Sequence, residues 1–255
     1  MKIGFIGTGN MNSAIINGLV ASGFDPRKIV ITNRTMAKTD QFKHLNVEIV
    51  GSSELVIDSC ELIVLGMKPD GYEPWLEQHD ISGKKIISIG AGITSEFMER
   101  YTSDFVITMP NTPSHLRLGS TLIAESPAVT AEVIDIFQAI GNVHIIPEQD
   151  FDVYTLITGC SPAYFFSFVA NMSDVLKTQY NLDSQLVNQM LVEVLTGSAA
   201  MLSKNPDPHQ LCDNVCSPGG ITIEVVDQLN KDLPDTFKRG FEAAIERTNQ
   251  LKTDK

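Results

Sequence analysis

The chain has 255 residues, 43% hydrophobic and 20% charged, the proportions of a soluble globular protein with a sizeable core. Lys and Arg number 19 against 31 Asp and Glu, so the net charge is −12 and the surface as a whole repels nucleic acid and anionic lipid. Its length fits one large domain or two modest ones.

The opening apolar run, Ile3 to Ile6, lacks the basic region and long apolar core of a cleavable signal. No stretch reads as the roughly 20 consecutive apolar residues of a membrane span. The four cysteines (Cys60, Cys160, Cys212 and Cys216) form no CxxC pair and no Cys/His ligand spacing. Neither a metal site nor a disulfide framework is expected, and the compartment expected is a reducing cytoplasm.

Through residue 150 the chain alternates strand and helix signals. Short apolar runs stand at Lys2–Ile6, Ile29–Thr32, Val47–Val50, Leu62–Met67, Lys85–Ile89 and Phe105–Met109. Between the first two, Ala14, Ile15, Leu19 and Val20 follow helical spacing within Met11–Val20. Alternating strands and helices predict a doubly wound α/β domain built on a parallel sheet. Thr121–Ala124 and Val143–Ile146 are candidate edge strands around a helix at Ala131–Ile140.

Gly7-Thr8-Gly9-Asn10-Met11 follows the first strand and opens the first helix. Gly7 permits a tight turn, and Gly9 lets a pyrophosphate approach the backbone at the helix N-terminus. Asn12 occupies the place of the third glycine of the dinucleotide fingerprint. At the end of the second strand an NAD site usually carries an acidic residue. This chain has Asn33, Arg34 and Thr35 there, with Lys38 nearby, which favours a 2′-phosphate and so NADP over NAD. Three more loops lie at predicted carboxyl ends of strands, where open sheets bind ligands. They are Gly66-Met67-Lys68-Pro69, Gly90-Ala91-Gly92 and Met109–Pro113.

Beyond residue 150 the strand signal fades. Pro162–Tyr180 reads as a helix with Ser161 as its cap, and Leu182–Lys204 as another started by Asp183 or Ser184. Shorter helices are expected at Pro208–Val215, Gly220–Leu229 and Pro234–Leu251. Leu186, Met190, Val194 and Leu195 mark one apolar face, which Val187, Leu191 and Ala199 widen. Burial on more than one side predicts packing against a second subunit. The chain thus divides into an N-terminal domain at 1–150 and a helical domain at 151–255.

Within the helical part stands Ser217-Pro218-Gly219-Gly220-Ile221-Thr222. Its glycines allow close approach, the start of a helix offers free N–H groups to a carboxylate, and Thr222 supplies a hydroxyl beside them. The alternative is a plain helix cap between two helices.

Taken together, these motifs resemble the pyrroline-5-carboxylate reductase family. The resemblance runs nearly end to end. It is carried by Gly4–Met11, Gly66–Pro69, Met109–Pro113, Ser161-Pro162-Ala163-Tyr164, Gly197-Ser198-Ala199 and above all Ser217–Ile223. It implies an N-terminal Rossmann-type domain followed by an all-helical dimerisation domain. It also implies reduction of pyrroline-5-carboxylate to proline with NADPH, NADH being the alternative donor, by a homodimer of a kind that often assembles into larger rings.

By this resemblance Gly7, Thr8, Gly9, Asn10 and Met11 bind the pyrophosphate, and Asn33 and Arg34 the adenosine phosphate. Met67, Lys68, Pro69 and Ala91 line the nicotinamide side, and Asn214 reaches the cofactor. Ser217, Gly219, Gly220, Ile221 and Thr222 hold the substrate, with Thr222 beside the imine nitrogen. The chain departs from the family pattern at Asn12, Ser53, Cys160, Asn205 and Ile221. Two other readings of the same layout are a β-hydroxyacid dehydrogenase using Lys177 or Lys204, and a regulatory paralogue that binds nucleotide without turnover.

Overall fold

The computed structural model of the protein describes residues 1–253. By internal contacts the chain forms two compact units, one of Met1–Pro162 with the C-terminal residues from Ala244, the other Ala163–Ala243.

The first unit is built on an eight-stranded sheet. In chain order its strands are β1 (Ile3–Ile6), β2 (Ile29–Thr32), β3 (Glu48–Ile49), β4 (Leu62–Leu65), β5 (Lys85–Ser88), β6 (Phe105–Met109), β7 (Gly119–Ala124) and β8 (Gly141–Ile146). Across the sheet they run 3-2-1-4-5-6-7-8. Strands β1 to β6 pair in parallel, with Ile3 beside both Ile29 and Leu62. The expected edge strands are present, but β7 runs antiparallel to β6. This departs from a wholly parallel sheet. Only a short 3-10 turn, Thr112–Leu116, separates β6 from β7, too little chain for a parallel crossover.

Side chains alternate between the two faces of each strand, and both faces are covered. Phe5, Ile31, Val64 and Ile87 join helices α1 (Asn10–Ala21) and α5 (Ala131–Gln138) in one apolar cluster. Ile6, Val30, Ile63 and Leu65 join α2 (Ser53–Ser59), α3 (Tyr72–Gln78), α4 (Ser95–Glu99) and α6 (Phe151–Thr158) in the other. Burial on both faces is why β1 and β4 are apolar throughout, and β2 up to its closing Thr32, and not alternating. Their carboxyl ends meet at β1 and β4, where the strand order reverses and an open α/β sheet binds its ligand.

The remaining helices are α7 (Ser161–Tyr180), α8 (Ser184–Lys204), α9 (Pro208–Val215) and α10 (Ile221–Thr253). Asp183 caps α8 by accepting from the Leu186 N–H at 2.8 Å, and Asp207 caps α9 by accepting from His209 and Gln210. Two expectations fail. Ser161 does not cap α7, because its hydroxyl donates to the Ile157 carbonyl of α6 instead. The helices expected at Gly220–Leu229 and Pro234–Leu251 are one 33-residue helix with Pro234 inside it. Proline deletes one helical hydrogen bond, at a cost of about 3 kcal/mol, and helix on both sides offsets that loss.

Within the second unit the apolar side chains point outward. Phe166 is 68% exposed, Val194 66% and Met190 55%, while Ser173 and Val187 are buried. Two stretches, Glu148–Tyr180 and Ser184–Lys204, are by length and mean hydropathy apolar enough to cross a membrane. The unbroken run sought in the sequence missed them because Ser, Asn and Gln interrupt both.

Candidate active site

The loop after β1 is shaped for an anion. Gly7 sits at φ +86°, a conformation that side chains resist, and its N–H donates to the Thr32 carbonyl at 3.0 Å. Gly9 is the N-cap of α1 and offers no side chain to the helix start. The first turn of α1 has no acidic residue, so its free N–H groups and the helix dipole meet no internal counter-charge. Asn10 and Gly9 are exposed, and Thr8 is buried beneath them.

Thr8 ties this loop to the end of β2. The Asn33 amide donates to the Thr8 hydroxyl at 2.7 Å, and the Asn33 carbonyl oxygen accepts from the Thr35 N–H at 2.8 Å. Both ends of the Asn33 side chain are therefore engaged. Arg34 and Lys38 are exposed and form no ion pair among the described residues. They are the free cations of this edge.

The loops after β4 and β5 rest on a buried tyrosine that sequence reasoning passed over. The Tyr72 hydroxyl donates to the Leu65 carbonyl at 2.6 Å and accepts from Ser88 at 3.2 Å, so it joins the last residues of β4 and β5. Full burial pushes its phenol up to about 12. Above it, Lys68 and Ala91 are exposed and Met67 and Pro69 half-buried. In the loop after β6, Asn111 is buried, its amide donating to the Thr158 carbonyl and its oxygen accepting from the Ser120 N–H. That loop is braced from within, and its polar side chain is not free for a ligand.

In the helical unit, Ser217–Thr222 links α9 to α10. Gly219 takes φ +71°, and the Gly220 N–H closes the bend onto the Ser217 carbonyl at 2.9 Å. The bend delivers the chain to the first turn of α10, where Ile221 is 90% exposed and Thr222 half-buried. No partner for the Thr222 hydroxyl is found among the described residues. Asn214 lies on the last turn of α9, exposed. Cys212 and Cys216 are free thiols with sulfurs 3.9 Å apart, and desolvation with the neighbouring thiol pushes Cys216 up. Among the described residues no three His, Cys, Asp or Glu gather into a metal cluster.

Two family models match the chain. "NADP oxidoreductase coenzyme F420-dependent" matches residues 2–92, and "Pyrroline-5-carboxylate reductase dimerisation" matches residues 148–251. Pyrroline-5-carboxylate reductase of Escherichia coli K12 is 32% identical over 260 residues, covering 96% of this chain and 93% of that protein. The chain belongs to the pyrroline-5-carboxylate reductase family. A crystal structure of the Plasmodium falciparum pyrroline carboxylate reductase with NADP bound aligns at TM-score 0.88 and 29% identity, over 99% of this chain and 98% of that one. The 1-pyrroline-5-carboxylate reductase of Streptococcus pyogenes aligns at TM-score 0.87 and 27% identity, again over 99% and 98%.

A pyrroline-5-carboxylate reductase of this family needs a dinucleotide, and the residues present fit one. The Gly9 cap leaves the α1 N-terminus open, and Arg34 and Lys38 stand as free cations at the end of β2.

Proposed function

We propose that the chain reduces the C=N bond of 1-pyrroline-5-carboxylate with NADPH, giving L-proline, and that NADH is the alternative donor. The observation that carries this reading is the end-to-end likeness to pyrroline-5-carboxylate reductases.

NADPH, when bound, supplies the hydride to the imine carbon. The loop Gly7, Thr8, Gly9, Asn10 and Met11 takes the pyrophosphate on the open N–H groups at the start of α1, and Arg34 takes the 2′-phosphate. Asn33 contributes through its backbone and by fixing Thr35. Met67, Lys68, Pro69 and Ala91 flank the nicotinamide, and Asn214 contacts the dinucleotide. N–H groups of Gly219 and Ile221, with the Ser217 hydroxyl, take the substrate carboxylate, and Gly220 closes the bend that presents them.

Thr222 holds the ring nitrogen. An aliphatic hydroxyl is a weak acid, so it orients a protonated iminium or relays a proton from water. The positive iminium nitrogen makes the adjacent carbon electrophilic without a metal, and the protein supplies proximity and orientation. The nitrogen keeps its proton as the carbon gains hydride, which completes proline and leaves NADP⁺.

The outward apolar side chains of α7 and α8 are covered by a second copy of the chain in a homodimer. A monomer seldom leaves so wide an apolar surface in water. The family's dimerisation region includes both helices, which favours a subunit over a bilayer as the covering. Dimers assemble into larger rings, the enzyme works in the cytoplasm, and it binds no nucleic acid. The test is to follow NADPH absorbance with purified protein and pyrroline-5-carboxylate. Oxidation that depends on both reactants and yields proline is expected, and its absence sinks the reading.

A further inference from the structure

Asn12 stands where the dinucleotide fingerprint has its third glycine, the residue that lets helix and strand pack closely. Its side chain is 1% exposed. The amide nitrogen donates to the Gly7 carbonyl at 2.7 Å, within the phosphate loop itself. The amide also presses on Gly66, the first residue after β4. A Cβ placed on Gly66 falls 2.1 Å from Asn12 Nδ2 and 2.4 Å from its Cγ, far inside contact distance. Gly66 in turn donates its N–H to the Ile6 carbonyl at 3.0 Å. The large residue at 12 and the absent side chain at 66 are thus complementary. Asn12 Oδ1 is buried without a hydrogen-bond partner among the described residues, so a buried amide is held here at a polar cost.

We propose that Asn12 is a positioning residue for the dinucleotide, a clasp that fixes the phosphate loop after β1 against the Gly66–Pro69 loop after β4. The inference rests on the proposed function in taking those loops as the pyrophosphate and nicotinamide sides. Buried beneath both loops, Asn12 acts through the Gly7 carbonyl and the space at Gly66. Losing its donated bond lets Gly7 relax from its positive φ, and filling Gly66 drives the two loops apart.

The test is a double-mutant cycle on the full chain, using Asn12→Gly, Gly66→Ala and the pair, with Asn12→Asp as a near-isosteric variant. NADPH affinity is titrated by fluorescence without substrate, melting temperature is measured alongside, and pyrroline-5-carboxylate KM is taken at saturating NADPH. Gly66→Ala alone weakens NADPH by about tenfold or more and Asn12→Gly alone by about fivefold, and the pair stays near the fivefold of Asn12→Gly, because the side chain that a Cβ at 66 would meet is gone while the bond to Gly7 remains lost. Asn12→Asp weakens NADPH by about tenfold at pH values where its carboxyl is ionised, since a carboxylate cannot donate to the Gly7 carbonyl. It regains affinity as pH falls through the carboxyl range, while pyrroline-5-carboxylate KM stays within about twofold of wild type. A role in stability alone moves the melting temperatures and leaves NADPH affinity and its pH profile unchanged, which overturns the inference. Additive losses in the pair overturn it too. Failure of the wild-type chain to bind NADPH overturns the functional reading with it, whereas lost coupling in a chain that binds NADPH overturns this inference alone.

Discussion

The Asn33 amide donates to the Thr8 hydroxyl across 2.7 Å, so the end of β2 braces the phosphate loop from below. With its carbonyl oxygen on the Thr35 N–H, the side chain is engaged within the protein at both ends. Asn33→Ala therefore loosens the loop under any dinucleotide. We expect KM for NADPH and for NADH to rise together by about five- to tenfold, the worth of one buried hydrogen bond. Initial rates with each donor check this, and a loss confined to NADPH shows that Asn33 contacts the 2′-phosphate directly.

Arg34 is the contrasting neighbour. It is exposed and forms no ion pair among the described residues, so its removal breaks no ion pair there. Arg34→Ala should raise NADPH KM by about tenfold or more, as a charged hydrogen bond to phosphate is worth about 1.5–3 kcal/mol, and leave NADH KM nearly unchanged. Equal losses for both donors remove Arg34 from the 2′-phosphate site.

Tyr72 gives a prediction in alkaline solution. Its phenol ionises at about 12 in the folded chain, pushed up from 10.0 chiefly by burial. For a group whose folded pKa is raised, the stability is present below the unfolded value and is lost as pH rises. Between pH 10 and about 12 the unfolded chain gives up the Tyr72 proton first, which drains up to about 2–3 kcal/mol. Tyr72→Phe lowers melting temperature at neutral pH by the loss of the Leu65 and Ser88 bonds, and melts with a shallower decline above pH 10. Parallel curves for the two proteins above that pH exclude this titration.

Thr222 stands on the first turn of α10, and its hydroxyl has no partner among the described residues. Thr222→Ala should lower kcat by about 10–100-fold, toward the low end of what a positioned proton-handling group supplies. NADPH affinity should stay within about twofold, and Thr222→Ser should recover most of the rate. Turnover equal to wild type in Thr222→Ala takes the residue out of the mechanism.

How much of this was legible in the sequence varies from element to element. β1, β2 and β4 were plain because a strand buried on both faces is apolar at nearly every position, and α1 because its buried side recurs with helical period. The bend at Ser217–Gly220 was legible as glycine and proline chemistry, and Gly219 does take the positive φ that only such a residue accepts readily. The reversed direction of β7 was not, since hydrophobic pattern carries no information on strand direction. Pro234 misled because proline normally marks a helix start, and only the surrounding helix overrides it. The brace of Asn33, the buried bonds of Tyr72 and the internal use of Asn111 depend on partners 25, 16 and 47 residues away, which local pattern cannot reveal.

The central claim is hydride delivery from the nicotinamide to the ring imine carbon. It is tested most directly by supplying pyrroline-5-carboxylate and NADPH deuterated at the transferable nicotinamide position, then examining the product by mass spectrometry and NMR. The account predicts proline carrying one deuterium on the ring carbon next to nitrogen and away from the carboxylate. Proline without deuterium, or no proline at all, contradicts it.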